Sequence, residues 1–239
     1  MTQREKEEKL VKNLKDPDTE SSAAISSLIN KTIKEGHNVY CATDWHLWVR
    51  LHKNKPACKQ RREFNHIIKN VTETMKDDDL LIYLGDLVDG EFQDKDALRD
   101  VLKQIPGKKV LVLGNNDIFG KPFYKSCFDY VVESFVWNNI IFTHIPIKNS
   151  KDYNVHGHLH GYRIYWLPYR NHIDVAACGG RKDLVKLEDV LKKQKSYAKT
   201  VRESPEHFEE GYALPSLALF DVVCGGYLPD PFEDDPTEL

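Results

Sequence analysis

Apolar positions recur along this chain with two spacings, and the alternation between them marks out its elements. Between Ser21 and Glu35, Ile25, Leu28, Ile29 and Ile33 fall on one helical face, and Gly36 is placed to stop that helix. Asn38 to Ala42 then reads as a short buried strand. Phe64, Ile67, Ile68, Val71 and Met75 return to helical spacing. The run Leu80 to Leu84 is of strand length with both faces apolar, as expected for a strand covered on both sides. A helix carrying Leu98, Val101 and Leu102 stops at Pro106-Gly107, and Lys109 to Leu113 is a third buried strand. The unit of strand, polar loop and helix therefore recurs, which predicts an α/β fold with neighbouring parallel strands.

The pattern changes after that. Tyr130 to Trp137 and Ile140 to Thr143 read as a hairpin about Asn138-Asn139. Strand-like pieces follow at Asn154-Val155, Tyr162 to Leu167 and His172 to Ala177, and Leu187, Val190 and Leu191 suggest a closing helix. The termini differ in character. The first fifteen residues are heavily charged and end at Asp16-Pro17-Asp18. From Ser204 the chain is acidic, with an apolar middle (Tyr212 to Leu228) suited to docking and a solvated tail from Pro229. The division expected is an N-terminal helical extension (1–36), a main domain (37–198) and an acidic C-terminal extension (199–239).

Composition narrows the class without choosing a function. Of 239 residues, 41% are apolar and 30% charged, which is the balance of a soluble globular protein. A net charge of -3 supplies no basic field for general nucleic-acid binding. The five cysteines are scattered with no CxxC pair, so reduced thiols are expected. Met1 is followed by a charged segment rather than an apolar leader, and no run reaches the ~20 apolar residues of a membrane span. A cytoplasmic protein with no membrane partner is the expectation.

Chemistry enters at the strand ends. Asp44 and His46 follow the first strand, Asp86 and Asp89 the second, Asn115 and Asp117 the third; His144 follows the hairpin, and His158 and His160 lie in the stretch Val155-His156-Gly157-His158-Leu159-His160-Gly161. Open α/β sheets place ligands at the carboxyl ends of their strands. If these strands are neighbours, carboxylates, an amide oxygen and several imidazoles meet at one edge. That is more than one ion needs, and it suits two divalent ions roughly 3.5–4 Å apart sharing a carboxylate. Mixed nitrogen and oxygen donors favour Mn, Fe, Zn or Ni over Ca or Mg. The absence of Cys nearby argues against a structural zinc site.

Asp-x-His, Gly-Asp-x-x-Asp, Gly-Asn-x-Asp, a lone His after a strand and Gly-His-x-His occur here in that order. Together they resemble the calcineurin-like metallophosphoesterase superfamily, and most closely its small single-domain bacterial and phage-type members, from about Asn38 to Leu191. The resemblance implies a four-layer α/β/β/α sandwich of two mixed sheets. It implies that Asp44, His46 and His160 hold one metal, that Asn115, His144 and His158 hold the other, and that Asp86 bridges them. It also implies in-line attack of a metal-bound hydroxide on the phosphorus of a small phosphoester, with manganese the favoured metal, and a catalytic set of Asp86, His144 and Asn116.

Asn116 departs from the pattern. The family usually has His in that place, where it contacts the phosphate and can protonate the leaving group, whereas Asn donates a hydrogen bond but cannot act as a general acid. Asn116 and Arg62 are the candidate substrate contacts, with His52 or His172 as an alternative acid. Asp89 and Asp117 read as orienters of ligands rather than ligands. His156 reads as a strand side chain, while His37, His66 and His207 look structural or exposed. Trp45 and Trp48 either stack on a base or pack beneath the loop. An enzyme reading and a scaffold reading both fit this fold. All seven ligand positions are filled, which favours the enzyme, and Asn116 in place of His directs it to a phosphodiester or nucleotide-like substrate.

Overall fold

A computed structural model of the chain describes residues 17–47, 57–88, 94–147, 153–159, 172–179 and 183–193, with side chains omitted at residues 57–63, 177 and 179. Several expectations fall outside those residues. They are the charged N-terminal stretch, the strand at Tyr162 to Leu167, the extension from 199, Asp89, His160, Trp48, His52 and His207, together with the side chain of Arg62.

The first helix, α1 (Thr19–Lys34), starts where Asp18 caps it: its carboxylate accepts from the backbone N–H groups of Glu20 and Ser21. It ends ahead of Gly36, whose φ of 81° only glycine adopts freely. Three strand-to-helix units and a fourth strand then build the first sheet: β1 (Val39–Ala42), α2 (Ala57–Thr74), β2 (Leu80–Tyr83), α3 (Lys95–Leu102), β3 (Lys108–Val112), α4 (Lys121–Lys125) and β4 (Tyr130–Val132). These strands are parallel, and β9 (Val185–Lys186) pairs antiparallel with β1 to give the order β4-β3-β2-β1-β9. The second sheet is β5 (Ser134–Trp137), β6 (Ile140–Thr143), β7 (Tyr153–His156) and β8 (His172–Asp174), with β5 and β6 antiparallel and the rest parallel. The chain is thus a mixed α/β protein with two mixed sheets, the architecture expected.

Alternation along each strand divides the apolar residues between two cores. On the outer face of the first sheet, Tyr40, Leu81, Tyr83 and Leu111 meet Ile67, Ile68 and Val71 of α2, Leu98 and Leu102 of α3, and Tyr124 of α4. On the inner face, Cys41, Leu80, Ile82, Val110 and Val112 meet Phe135, Phe142, Val155 and Ile173 of the second sheet. The rings of Phe135 and Phe142 stack across β5 and β6 with centroids 4.6 Å apart. Ile25 and Ile29 of α1 are fully buried in the same inter-sheet core, so the N-terminal helix is part of the packed body.

Two expectations need correction. The single strand expected from Tyr130 to Trp137 is two strands in different sheets, β4 and β5, separated by Glu133. The strand expected from His172 to Ala177 ends at Asp174, where its carboxylate accepts from the Ala176 N–H and opens the short helix α5 (Ala176–Gly179). Between β3 and β4 the chain forms α4, which starts with Pro in its first turn. The hairpin is as expected: Asn138 and Asn139 both have positive φ, at 49° and 61°, which a two-residue turn of this twist requires.

Asp79 holds the edge of the first sheet together. This buried carboxylate accepts from the backbone N–H of Asn38 at 2.7 Å and of Lys76 at 2.9 Å, fastening the entry of β1 to the end of α2. Asp79→Ala removes the acceptor of two partly exposed donors, and a loss of about 1–3 kcal/mol in stability, read as a lower urea midpoint, is the expected outcome. An unchanged midpoint would show that water replaces the carboxylate.

Candidate metal centre

The carboxyl ends of β1, β2, β3, β6 and β7 meet at one rim. The loops after β1 and β2 run side by side there. The N–H groups of Asp44, His46 and Leu47 donate to the carbonyls of Gly85, Asp86 and Leu87 at 3.0, 3.0 and 2.8 Å. Running two loops together so closely needs unusual backbone: Asp44, His46 and Asp86 have φ of 53°, 43° and 58°, Gly85 has 85°, and His158 has 71°. Left-handed backbone at non-glycine residues carries a steric cost and concentrates at functional sites.

Two groups of ligating atoms result, each within 4.8 Å and both containing Asp86: one is Asp44, His46 and Asp86, the other Asp86, His144 and His158. His46 Nε2 lies 3.6 Å from Asp86 Oδ2 and 3.9 Å from Asp44 Oδ1. In the second group His144 Nε2 is 3.3 Å from Asp86 Oδ2, 3.3 Å from His158 Nδ1 and 2.9 Å from Asn115 Oδ1. The other nitrogen of His144 faces the Leu84 carbonyl at 2.7 Å. A proton there fixes the tautomer and turns the Nε2 lone pair into the cluster. Lone-pair atoms from an imidazole, an amide oxygen and a carboxylate then converge within 3.3 Å, a donor set suited to a divalent cation.

Charge in the cluster tells the same story. Burial pushes the Asp44 carboxyl up to about 8, further raised by the nearby Asp86 and offset in part by His144. Burial would pull His144 down, yet the facing Asp86 carboxylate holds it up at about 10. Burial likewise acts against ionised Asp86, but His144 and His46 hold it below the usual carboxylate range. His158, buried and beside His144, is pushed down to about 3. Without a cation the cluster therefore keeps protons on both Asp44 and His144 near pH 7, in the place where a cation would satisfy the same oxygens.

Residues outside the two groups hold these donors in place. Asp117 accepts from the backbone N–H groups of Gly114, Asp86 and Leu87 at 2.7, 3.1 and 2.9 Å, tying the β3 loop to the β2 loop. It lies in neither ligand group. Thr43 Oγ1 lies 2.7 Å from Asp44 Oδ2, which also accepts from the His158 N–H at 2.9 Å. Tyr83 was not singled out from the sequence. Its hydroxyl accepts from the Trp45 N–H at 2.8 Å and faces the Asp86 carbonyl at 3.3 Å, joining the first two loops from below. A lone hydroxyl at the end of an aliphatic strand is the signal that marks it.

The remaining candidates separate clearly. Trp45 is 2% exposed and packs edge-on against Tyr83, which settles it as packing beneath the loop. His156 Nδ1–H donates to the Gly157 carbonyl at 2.8 Å and its ring lies against His172; it belongs to neither ligand group. Burial, with a contribution from His156, pushes His172 down to about 3, so it is neutral near pH 7 and carries no proton for a leaving group. Asn116 has its amide on Asp86: Nδ2 donates to Oδ2 and the backbone N–H to Oδ1, both at 2.8 Å.

Among the described residues no helix is long and apolar enough to cross a membrane. An uncharacterized protein of Methanocaldococcus jannaschii is 28% identical over 122 residues, 49% of this chain and 65% of that protein, so the chain spans just under two thirds of this relative. A protein of unknown function from Aquifex aeolicus superposes with a TM-score of 0.46 at 21% identity, over 65% of this chain and 98% of the other. A nuclease from Pseudomonas putida gives a TM-score of 0.36 at 20% identity, over 51% of this chain and 61% of the other. The sequence profile of calcineurin-like phosphoesterases matches residues 37–225, a span containing every strand and every candidate ligand described above. With two ligand groups at its strand ends and most of its length matched by that profile, the chain belongs to the calcineurin-like phosphoesterase family.

Proposed function

We propose that the chain is a dinuclear metal-dependent phosphoesterase that hydrolyses a small phosphoester, with phosphodiesters or nucleotide-like substrates favoured. The observation that carries this reading is the sharing of Asp86 by two ligand groups. Asp44, His46 and His160 are assigned to one cation and Asn115, His144 and His158 to the other, with Asp86 between them. When bound, two divalent cations, Mn before Fe, Zn or Ni, supply Lewis acidity to the phosphoryl oxygens and acidify the attacking water. The protein's part is placement. Leu84 fixes the His144 tautomer, Asp117 holds the Asp86 backbone, and Thr43 orients Asp44. Arg62 is assigned to the substrate phosphate, where a guanidinium binds two oxygens at once. Residues 37–198 are taken as the catalytic domain of a cytoplasmic protein, flanked by a helical and an acidic extension.

The diester preference rests on Asn116. An amide holds no acid proton, so a leaving group that departs unaided is favoured. The same residue supports a second reading, a weakly active or inactive scaffold on the same fold. The full chain, stripped by chelation and reloaded with Mn, Ni or Zn, separates the two. Expected is metal-dependent hydrolysis of bis-p-nitrophenyl phosphate, faster than that of p-nitrophenyl phosphate. A faster monoester rate would overturn the preference, and no turnover of either ester with any of the metals would leave the scaffold reading standing.

A further inference from the structure

We propose that Asn116 is a positioning residue that clamps the shared carboxylate Asp86 and sets cation affinity, rather than a contact to the substrate. This rests on the reading that the cluster holds two cations, and it gives Asn116 a role different from the one its place in the motif implies.

Asn116 spends two donors on one carboxylate. Its backbone N–H meets Oδ1 and its side-chain Nδ2 meets Oδ2, each at 2.8 Å. A carboxylate only accepts, so the amide nitrogen rather than the amide oxygen must face it, which fixes the side chain's orientation. The oxygen it holds is the one that matters: Oδ2 faces His144 Nε2 at 3.3 Å and His46 Nε2 at 3.6 Å, so it is the atom both ligand groups share.

The carboxylate has no room to turn elsewhere. A Cβ built on Gly114 would lie 2.3 Å from Asp86 Oδ1, so this side of Asp86 is pressed against the β3 loop. Gly114 shapes the seat and Asn116 locks the plane. One donor on each oxygen fixes rotation about the terminal side-chain bond, which is otherwise broad for Asp. Partners of this kind typically alter metal affinity by about 10–100-fold. Histidine at this position would keep the backbone N–H on Oδ1 and put a bulkier ring where the compact amide holds Oδ2.

The test uses the full chain with Asn116→Ala and Asn116→Ser, both too short to reach Oδ2. Each protein is stripped by chelation, and its thermal midpoint is taken metal-free to confirm folding. Mn binding is then measured by calorimetry, with stoichiometry from elemental analysis. Kinetics on bis-p-nitrophenyl phosphate follow at rising Mn concentration. The expected result is Mn affinity weaker by about 10–100-fold in both variants. Excess Mn should then restore kcat to within about threefold of wild type with KM unchanged. Unchanged Mn affinity, with a raised KM or a lowered kcat that Mn does not restore, would overturn the proposal and make Asn116 a substrate contact. If the alanine variant does not fold, the serine variant decides. A wild-type chain that binds no Mn, Ni or Zn would sink the dinuclear reading and this inference with it, an outcome distinct from altered kinetics in a metal-loaded protein.

Discussion

Asp86→Asn is expected to abolish metal-dependent hydrolysis and to lower bound metal below two ions per chain. Asp86 is the residue common to both ligand groups, so no other single substitution among the described residues touches both. Loss of a group that merely orients a ligand costs about 10–100-fold in metal affinity, so loss of the shared ligand's charge should exceed about 100-fold in kcat/KM. Asparagine is the informative replacement. Asp86 has a φ of 58°, and Asn is among the few residues that tolerate left-handed backbone. Its amide oxygen also keeps an acceptor for the Asn116 N–H. Alanine would confound lost chemistry with backbone strain. Elemental analysis after gel filtration, with circular dichroism as the folding control, provides the measurement. Two tightly held ions in the variant would refute the assignment of Asp86 as the bridge.

Gly157→Ala should damage the protein as severely, by a different route. A Cβ there would sit 1.8 Å from Thr43 Oγ1, 2.9 Å from Thr43 Cβ and 2.9 Å from Asp44 Oδ2. Thr43 cannot swing away cheaply, because its hydroxyl lies between Asp44 Oδ2 at 2.7 Å and the Leu84 carbonyl at 3.0 Å. The β7 loop must therefore lift. That breaks the bond from the His158 N–H to Asp44 Oδ2 and moves His158 out of its ligand group. Overpacking a tight site costs about 1–3 kcal/mol, and a lost bond to a buried charged group about 1.5–3 kcal/mol more, so a fall of roughly 3–6 kcal/mol is expected. The urea midpoint reads the stability and elemental analysis the loss of one ion. Thr43→Ala in the same chain removes the closest atom and should recover part of the stability. Additive effects in that double-mutant cycle would mean that the two residues do not compete for space.

Much of this site was legible because buried parallel strands end abruptly. Leu80 to Leu84 is an unbroken apolar run, and the first polar side chain after it, at Asp86, had to lie at the sheet's carboxyl edge. Glycine stands where ligands crowd the backbone: a Cβ on Gly85 would lie 2.6 Å from His144 Nδ1 and one on Gly157 1.8 Å from Thr43 Oγ1. Where pattern failed, two structures shared one pattern. Tyr130 to Trp137 is a continuous β-favouring run, and nothing local marks Glu133 as the point where the chain leaves one sheet for the other. The choice is made by what each half buries: Val132 and Phe135 both face the inter-sheet core, but from opposite sheets. Tyr83 was hidden as the last member of an apolar strand, since its hydroxyl acts on backbone groups that no sequence spacing reveals. Asn116 was legible as a departure from the family, but the direction of its amide was not.

The two ligand groups draw on both sheets: Asp44, His46, Asp86 and Asn115 come from the first, His144 and His158 from the second. A cation held across that seam adds to the hydrogen bonds that already cross it, from the His158 N–H to Asp44 Oδ2 and between His144 and the Leu84 carbonyl. Ligand that binds only the closed form suppresses opening by mass action, about 2.7 kcal/mol at a hundredfold excess over Kd. Amide hydrogen exchange at the rims of β2 and β6 should therefore slow together on metal addition, as one cooperative unit. On that view the reaction centre is also the protein's clasp, and sequestering its ions would loosen the sandwich along the seam before unfolding either sheet.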